Sequence, residues 1–162
     1  MPSLPFRIST LILLRDEADR FLLLERTRPP NQGKWSPIGG KLDMERGESP
    51  VECARRETEE EVGLAVTDED LHLFGYLSEK NYEGEKHWLM FLFLCHRRLR
   101  DLPPPIEEGR FGFFAREEID RLDIPPTDAV LLWQFYDEHA GGFAGMRADC
   151  AGSGPVVPVR EA

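Results

Sequence analysis

Three glutamates, Glu57, Glu60 and Glu61, stand three and four residues apart. On a helix that spacing gathers their carboxylates on one face within a single turn. Three like charges so close repel one another unless something neutralises them. A hard divalent cation that prefers oxygen ligands, above all Mg2+, is the chemistry that fits. Upstream, Gly39-Gly40 lets the backbone approach an ion or a phosphate without a side chain in the way. Glu59 points elsewhere, into solvent, and Arg56, four residues before Glu60, can pair with it along the helix. From Asp43 to Glu61 there are eight acidic residues against three arginines, a net −5 in 19 residues. Such a run is ordinarily a solvated helix face; the three-and-four spacing sets this one apart.

The elements that must hold these groups are well punctuated. Ser49 is an N-cap, Pro50 suits the first helical position and Glu52 completes a capping box, so a helix runs to Val62 and stops at Gly63. Its residues Val51, Ala54, Thr58 and Val62 can face a core. Phe6–Leu14 and Phe21–Arg26 read as a β-hairpin, followed by the turn-rich loop Thr27–Gly33 and a short extended piece, Lys34–Ile38. Leu71–Leu77 and His87–His96 read as strands, and the second, apolar on both faces, as a central one. Arg110–Phe114 is a further strand, Arg116–Leu122 a short helix, and Thr127 caps a final helix carrying Val130, Leu131, Trp133 and Phe135. The fold class is α+β, one domain with a mixed sheet between helices, over 1–140. From Gly141 to 162 the Gly-, Ala- and Pro-rich chain reads as a flexible tail.

Composition narrows the partners. The chain has 162 residues, 41% hydrophobic and 31% charged, as in one soluble globular domain. A net charge of −10 repels the phosphates of long nucleic acids. No apolar run approaches the roughly 18 residues that span a bilayer, so no membrane partner is expected. The start, Met1 to Arg7, lacks the pattern of a secretory signal. Cys53, Cys95 and Cys150 are odd in number and widely spaced, which fits a reducing cytoplasm rather than a disulfide framework or a zinc cluster. Cys53 and Cys95 lie in apolar patterns and read as packing residues.

Gly39-Gly40-Lys41-Leu42, Gly47-Glu48 and Arg56-Glu57-Thr58-Glu59-Glu60-Glu61-Val62-Gly63-Leu64 together resemble the signature of the Nudix hydrolases. Glu48, the seven-residue spacer to Arg56 and the second half match, apart from Thr58 at an aliphatic position. Seven residues rather than the family's five separate Gly40 from Glu48, a two-residue expansion around Asp43 to Arg46.

The resemblance implies a Nudix-type αβα sandwich that hydrolyses a nucleoside diphosphate linked to a group X. By it Glu57, Glu60 and Glu61 would hold Mg2+ or Mn2+, with Gly39 as a further ligand through its carbonyl, and Arg56 and Glu48 would brace the loop and helix. A further carboxylate usually comes from outside this box; Glu108 is the choice and Glu107 the alternative. A pyrophosphate resists water until cations neutralise it and acidify the attacking water; a carboxylate then takes the proton. Glu60, Glu61 and Glu108 all remain open for that role. The overall pattern resembles the MutT-like enzymes, which implies a nucleoside triphosphate, oxidised or not, giving nucleoside monophosphate and pyrophosphate. Dinucleoside polyphosphates, nucleotide sugars and ADP-ribose are the alternative substrates. A non-catalytic nucleotide-sensing module is the alternative class, disfavoured because a binder has no need of three juxtaposed acids.

Other residues carry two readings each. Trp35 would stack on a base or pack, whereas core packing is the reading for Trp88 and Trp133. Tyr82 would touch base or phosphate, or be a surface tyrosine. Ser36 stands where the MutT-like enzymes often have Asn. Asp128 falls where some of them place an acidic base-reading residue, and is otherwise a helix-start acid. His87, at the start of an apolar strand, reads as structural. The expected assembly is a monomer or a homodimer.

Overall fold

The structure, a computed structural model, describes residues 3–29 and 31–162. Met1 and Pro2 of the leading segment, and Pro30 of the loop after the hairpin, lie outside the described residues. Strands β1 (Phe6–Asp16) and β2 (Phe21–Arg26) pair antiparallel, joined by a turn in which Asp16 accepts hydrogen bonds from the backbone of Ala18 and Arg20. Next come β3 (Trp35–Ser36) and β4 (Ile38–Lys41), helix α1 (Pro50–Val62), and the long strands β5 (Leu71–Tyr82) and β6 (Lys86–Leu99). Strand β7 (Gly109–Phe114) and the short helix α2 (Arg116–Ile119) lead to the final helix α3. This helix is π-wound over Ala129–Gln134 and α-wound over Phe135–His139.

Strands β8 (Ala144–Asp149) and β9 (Val159–Arg160) follow, and one mixed sheet runs β3-β2-β1-β6-β5-β8-β9, with β4 on β1 and β7 on β2. The β1–β6 and β5–β8 contacts are parallel and the others antiparallel. Because β6 lies between β1 and β5 with both faces covered, its apolar run has no polar face. Alternation along the strands divides the core in two. Leu11, Leu13, Leu77, Leu92 and Leu94 pack with α3, while Ile12, Leu14, Phe93 and Cys95 pack with α1. Helices thus cover opposite faces, an αβα sandwich.

Helix α1 starts at the capping box of Ser49 and Glu52 and ends on Gly63 in the left-handed conformation (φ 72°). Thr58 is fully buried, and its hydroxyl donates to the Ala54 carbonyl at 2.7 Å. The polar group at an aliphatic position is therefore satisfied within its own helix.

Three expectations are corrected. Residues 141–162 do not form a loose tail throughout: β8 (Ala144–Asp149) adds to β5, and β9 (Val159–Arg160) pairs with β8. Small residues at 144, 145 and 148 let β8 lie close under α3 and Tyr76, which is why a composition typical of a tail can be a strand. Thr127 makes no side-chain cap; its carbonyl accepts the Leu131 N–H, and the π winding that follows presents three successive residues, Leu131, Leu132 and Trp133, to the core. Trp88 is not a core residue: it is half-buried, with the ammonium groups of Lys41 and Lys86 6.0 and 5.7 Å from its ring centre. Trp133 is buried.

Candidate active site

The site lies where β4 meets the middle of α1. Gly40 and Glu57 touch so closely that a Cβ on Gly40 would collide with the Glu57 carboxylate. The Cys53 thiol bridges this junction, donating to the Gly40 carbonyl at 3.6 Å with Thr10 Oγ1 3.4 Å away. Burial pushes that thiol up to about 11, so it stays neutral.

Arg56 organises the acids. Its Nε and Nη2 donate to the two Glu48 oxygens at 2.7 and 2.8 Å, a bidentate pair. Nη1 donates to Glu57 at 2.9 Å and to Glu60 at 3.3 Å, and Nη2 also reaches the Lys41 carbonyl at 3.2 Å. The Arg56 hydrogen bonds hold Glu48 down at about 2, and the same contacts raise Arg56 further. Glu48 also accepts from the backbone N–H of Asp43. The expanded loop is thereby closed as a turn, with Arg46 N–H on Asp43 Oδ1 and Glu48 N–H on the Asp43 carbonyl, and residues 44–47 turn outward.

Glu57 and Glu61 are half-buried on α1, and each bears on the protonation of the other. Burial raises both, and at Glu61 the charges of Glu57 and Glu108 add to it. The Gly39 backbone N–H acts the other way and lowers Glu61. Glu61 Oε2 is buried with no hydrogen-bond partner. Glu60 is exposed and turned to Arg56. In this arrangement no three His, Cys, Asp or Glu side chains among the described residues form a finished cation shell. The charges of Glu57 and Glu108 both act on Glu61, whereas Glu60 is engaged by Arg56. Glu107 does not join them, because it pairs with Arg28 at 2.5 Å. Glu108 is anchored by its carbonyl, which accepts from Thr27 N–H at 2.9 Å.

Of the remaining candidates, Trp35 packs against the core on the α3 side and Asp128 begins α3, whereas Ser36 lies with the α1-side core. Trp35 is half-buried, edge-on to Phe114 with ring centres 4.8 Å apart, and the Arg110 guanidinium lies 5.6 Å from its ring centre. Ser36, beside it, pairs with Leu24. Tyr82 is half-buried at the end of β5, and burial and the charges of Glu83, Glu79 and Asp128 push it up to about 12. Asp128 is half-buried at the start of α3, and burial together with the Glu79 charge pushes it up to about 7. The His87 Nδ1 accepts from the Asn81 N–H at 3.0 Å, which fixes its ring as a turn support.

Sequence reasoning missed Glu79, which lay in an expected loop but is buried in β5. It also missed the Lys41–Trp88–Lys86 group and Asn31. Only an acid within an otherwise alternating strand could have marked Glu79.

The chain matches the NUDIX domain family over residues 5–141. It belongs to the Nudix family, and it is a Nudix hydrolase. Its fold is that of the mMutator MutT protein from Bacillus halodurans, with a TM-score of 0.73 at 24% identity, covering 96% of this chain and 97% of that one. It is also similar to the 8-oxo-dGTP diphosphatase of Haemophilus influenzae, 25% identical over 131 residues, 78% of this chain and 88% of that protein. A stretch of 50 residues is 50% identical to the octanoyltransferase of Myxococcus xanthus, of which the match spans only 13%.

Proposed function

We propose that this protein hydrolyses a nucleoside triphosphate, plain or oxidised, to the monophosphate and pyrophosphate with Mg2+ or Mn2+. The observation that carries the reading is the Glu57–Glu61 pair: two half-buried carboxyls that burial pushes up, an orphaned oxygen on Glu61, and the Glu108 charge acting on Glu61. An all-oxygen set with more negative charge than its surroundings tolerate fits a hard cation. Glu57, Glu61 and Glu60 would hold it, Glu60 after turning from Arg56, with Glu108 adjoining. The cation would neutralise the phosphate oxygens and acidify the attacking water.

This chain's own residues do the rest. Arg56, fixed bidentately by Glu48, holds the Glu57 carboxylate in place and keeps the loop 41–48 against α1. The Gly39-Gly40 backbone leaves room for phosphate beside Glu57. Glu60, Glu61 or Glu108 would accept the proton of the water. The nucleoside triphosphate class is supported by the similarity to the Haemophilus influenzae 8-oxo-dGTP diphosphatase, and by a half-buried acid at the start of α3, Asp128, whose charge acts on Tyr82.

The test is a nucleotide panel incubated with Mg2+: purine and pyrimidine nucleoside triphosphates, 8-oxo-dGTP, a dinucleoside polyphosphate, a nucleotide sugar and ADP-ribose, with phosphate and pyrophosphate measured separately. Pyrophosphate release, greatest from a purine triphosphate, is expected. Turnover confined to the last three compounds would move the substrate class.

A further inference from the structure

Thr10 and Cys53 are buried polar groups that the hydrolytic chemistry leaves without a task. Thr10 is 1% exposed and Cys53 is fully buried. Thr58, equally buried, satisfies its hydroxyl within its own helix, whereas Thr10 and Cys53 bond across the junction of sheet and helix. The thiol has one hydrogen, directed at the Gly40 carbonyl at 3.6 Å. The Thr10 hydroxyl is therefore the donor in the 3.4 Å contact between Oγ1 and Sγ. Arg56 Nη2 lies 3.8 Å from the same sulfur. A relay of hydrogen bonds thus runs from β1, through a sulfur on α1, to the backbone of β4.

That backbone faces the acids. Strand β4 has four residues and, among the described residues, pairs with β1 alone. Thr10 is the register partner of Gly40, and Leu11 that of Gly39. Bonded and unbonded pairs alternate along an antiparallel ladder, and the Leu42 N–H donates to the Ile8 carbonyl at 3.1 Å. Two residues back from that bond, Gly40 turns its N–H and carbonyl toward β1, so Gly39 turns its own away. The Gly39 N–H accordingly acts on Glu61. Gly40 meanwhile lies so close to the Glu57 carboxylate that a Cβ would not fit between them.

We propose that Thr10 and Cys53 are positioning residues for the cation: through the Gly40 carbonyl they fix how closely β4 lies on α1, and so set the spacing between the Gly39 backbone and the Glu57 and Glu61 carboxyls. Neither side chain ligates the cation. This rests on the reading of those carboxyls as a cation site.

The physical ground is the narrow tolerance of a small hard cation. Mg2+ demands near-octahedral oxygens at about 2.0–2.1 Å, so a shift of a few tenths of an ångström between two ligand-bearing elements weakens it. A short strand held along one edge needs a further tether to keep that spacing. The Arg56 bond to the Lys41 carbonyl at 3.2 Å holds its end, and the thiol holds its middle. Groups that orient the ligands of a metal commonly change its affinity tenfold or more when removed. A thiol is a weak donor, which puts this relay at the lower end of that range. If the two residues only filled space, a side chain of the same shape without the hydroxyl would serve as well as threonine.

The experiment is Mn2+ titration of the intact protein without nucleotide, followed by loss of the free-ion paramagnetic resonance signal, in the parent, Thr10→Val, Thr10→Ser and Cys53→Ala. Melting temperatures without cation establish that each is folded. Thr10→Val and Cys53→Ala should bind Mn2+ about tenfold more weakly, and Thr10→Ser, which keeps the hydroxyl, within about twofold of the parent. In turnover, the Mg2+ concentration at half-saturation should rise by the same factor while KM for the nucleotide moves less than about twofold. Mn2+ affinity unchanged in Thr10→Val or in Cys53→Ala overturns the proposal and leaves the cation site standing. So does Thr10→Ser as weak as Thr10→Val, because the methyl group and not the hydroxyl would then matter. Should Thr10→Val not fold, Cys53→Ala decides, since alanine is at home in a helix. A parent that binds no Mn2+ removes the cation reading itself, and this proposal with it.

Discussion

The sharpest consequences at the scale of single residues concern Glu48 and the Glu57–Glu61 pair. Glu48 is held down at about 2 by Arg56, well below its ordinary 4.5. An acid depressed in the folded state lends stability that is present above its ordinary value and lost as pH falls toward the depressed one. The parent should therefore lose stability between pH 4.5 and about 2. Glu48→Gln should be weaker by about 2 kcal/mol at neutral pH, with a flatter acid limb in denaturant titrations. Glu61 has the opposite sign: raised in the fold, it favours the folded state at low pH and loses that contribution as pH climbs through neutrality. Without cation, the melting temperature should fall from pH 5 to pH 8.5, and Glu61→Gln should remove most of that fall. The acids at 57, 60 and 61, and Arg56 with Glu48, were legible because helical spacing is written in the sequence. Glu79 was not, because its burial depends on how far β5 extends and on strands paired from far along the chain. The raised carboxyls of Glu57 and Glu61 were equally hidden, since spacing says which carboxylates share a face but not how deeply each is buried.

At the scale of elements, α1 was readable to the residue, since its capping box, its proline and its terminal glycine are all local signals. Ser49→Ala should cost about 1 kcal/mol, seen as a lowered denaturation midpoint with turnover per folded molecule unchanged. The loop expansion was countable, but its shape was not. It is an outward turn whose ends are tied by Asp43 and Glu48. Deletion of Met44 and Glu45 should accordingly leave turnover within about tenfold of the parent; a larger loss with an intact fold would mean that the turn positions Glu48. The winding of α3 was out of reach, because a run of apolar residues tells a helix from a strand but not a π turn from an α turn.

For the molecule as a whole, the error of reading lay at the C-terminal end. Composition marked residues 141–162 as a tail, but β8 covers the edge of β5 and adds Ala144, Met146 and Ala148 to the larger core cluster. Edge strands attract unwanted pairing when uncovered. Removal of residues 142–162 should lower the melting temperature by roughly 10 °C or more and promote aggregation. A truncated form as stable and monodisperse as the parent would show β8 to be dispensable. Among the described residues no helix is long and apolar enough to cross a membrane.

The proposed function stands on carboxylates that take a cation and so let water cleave a phosphoanhydride. Its most direct test is the rate of pyrophosphate release from a purine nucleoside triphosphate as Mg2+ is titrated, in the parent and in Glu61→Gln. The parent should be inactive with chelator and rise to saturation with Mg2+, and the variant should remain about two orders of magnitude or more slower at saturating cation while folded. Release that persists in chelator, or a Glu61→Gln variant that turns over like the parent, would contradict it.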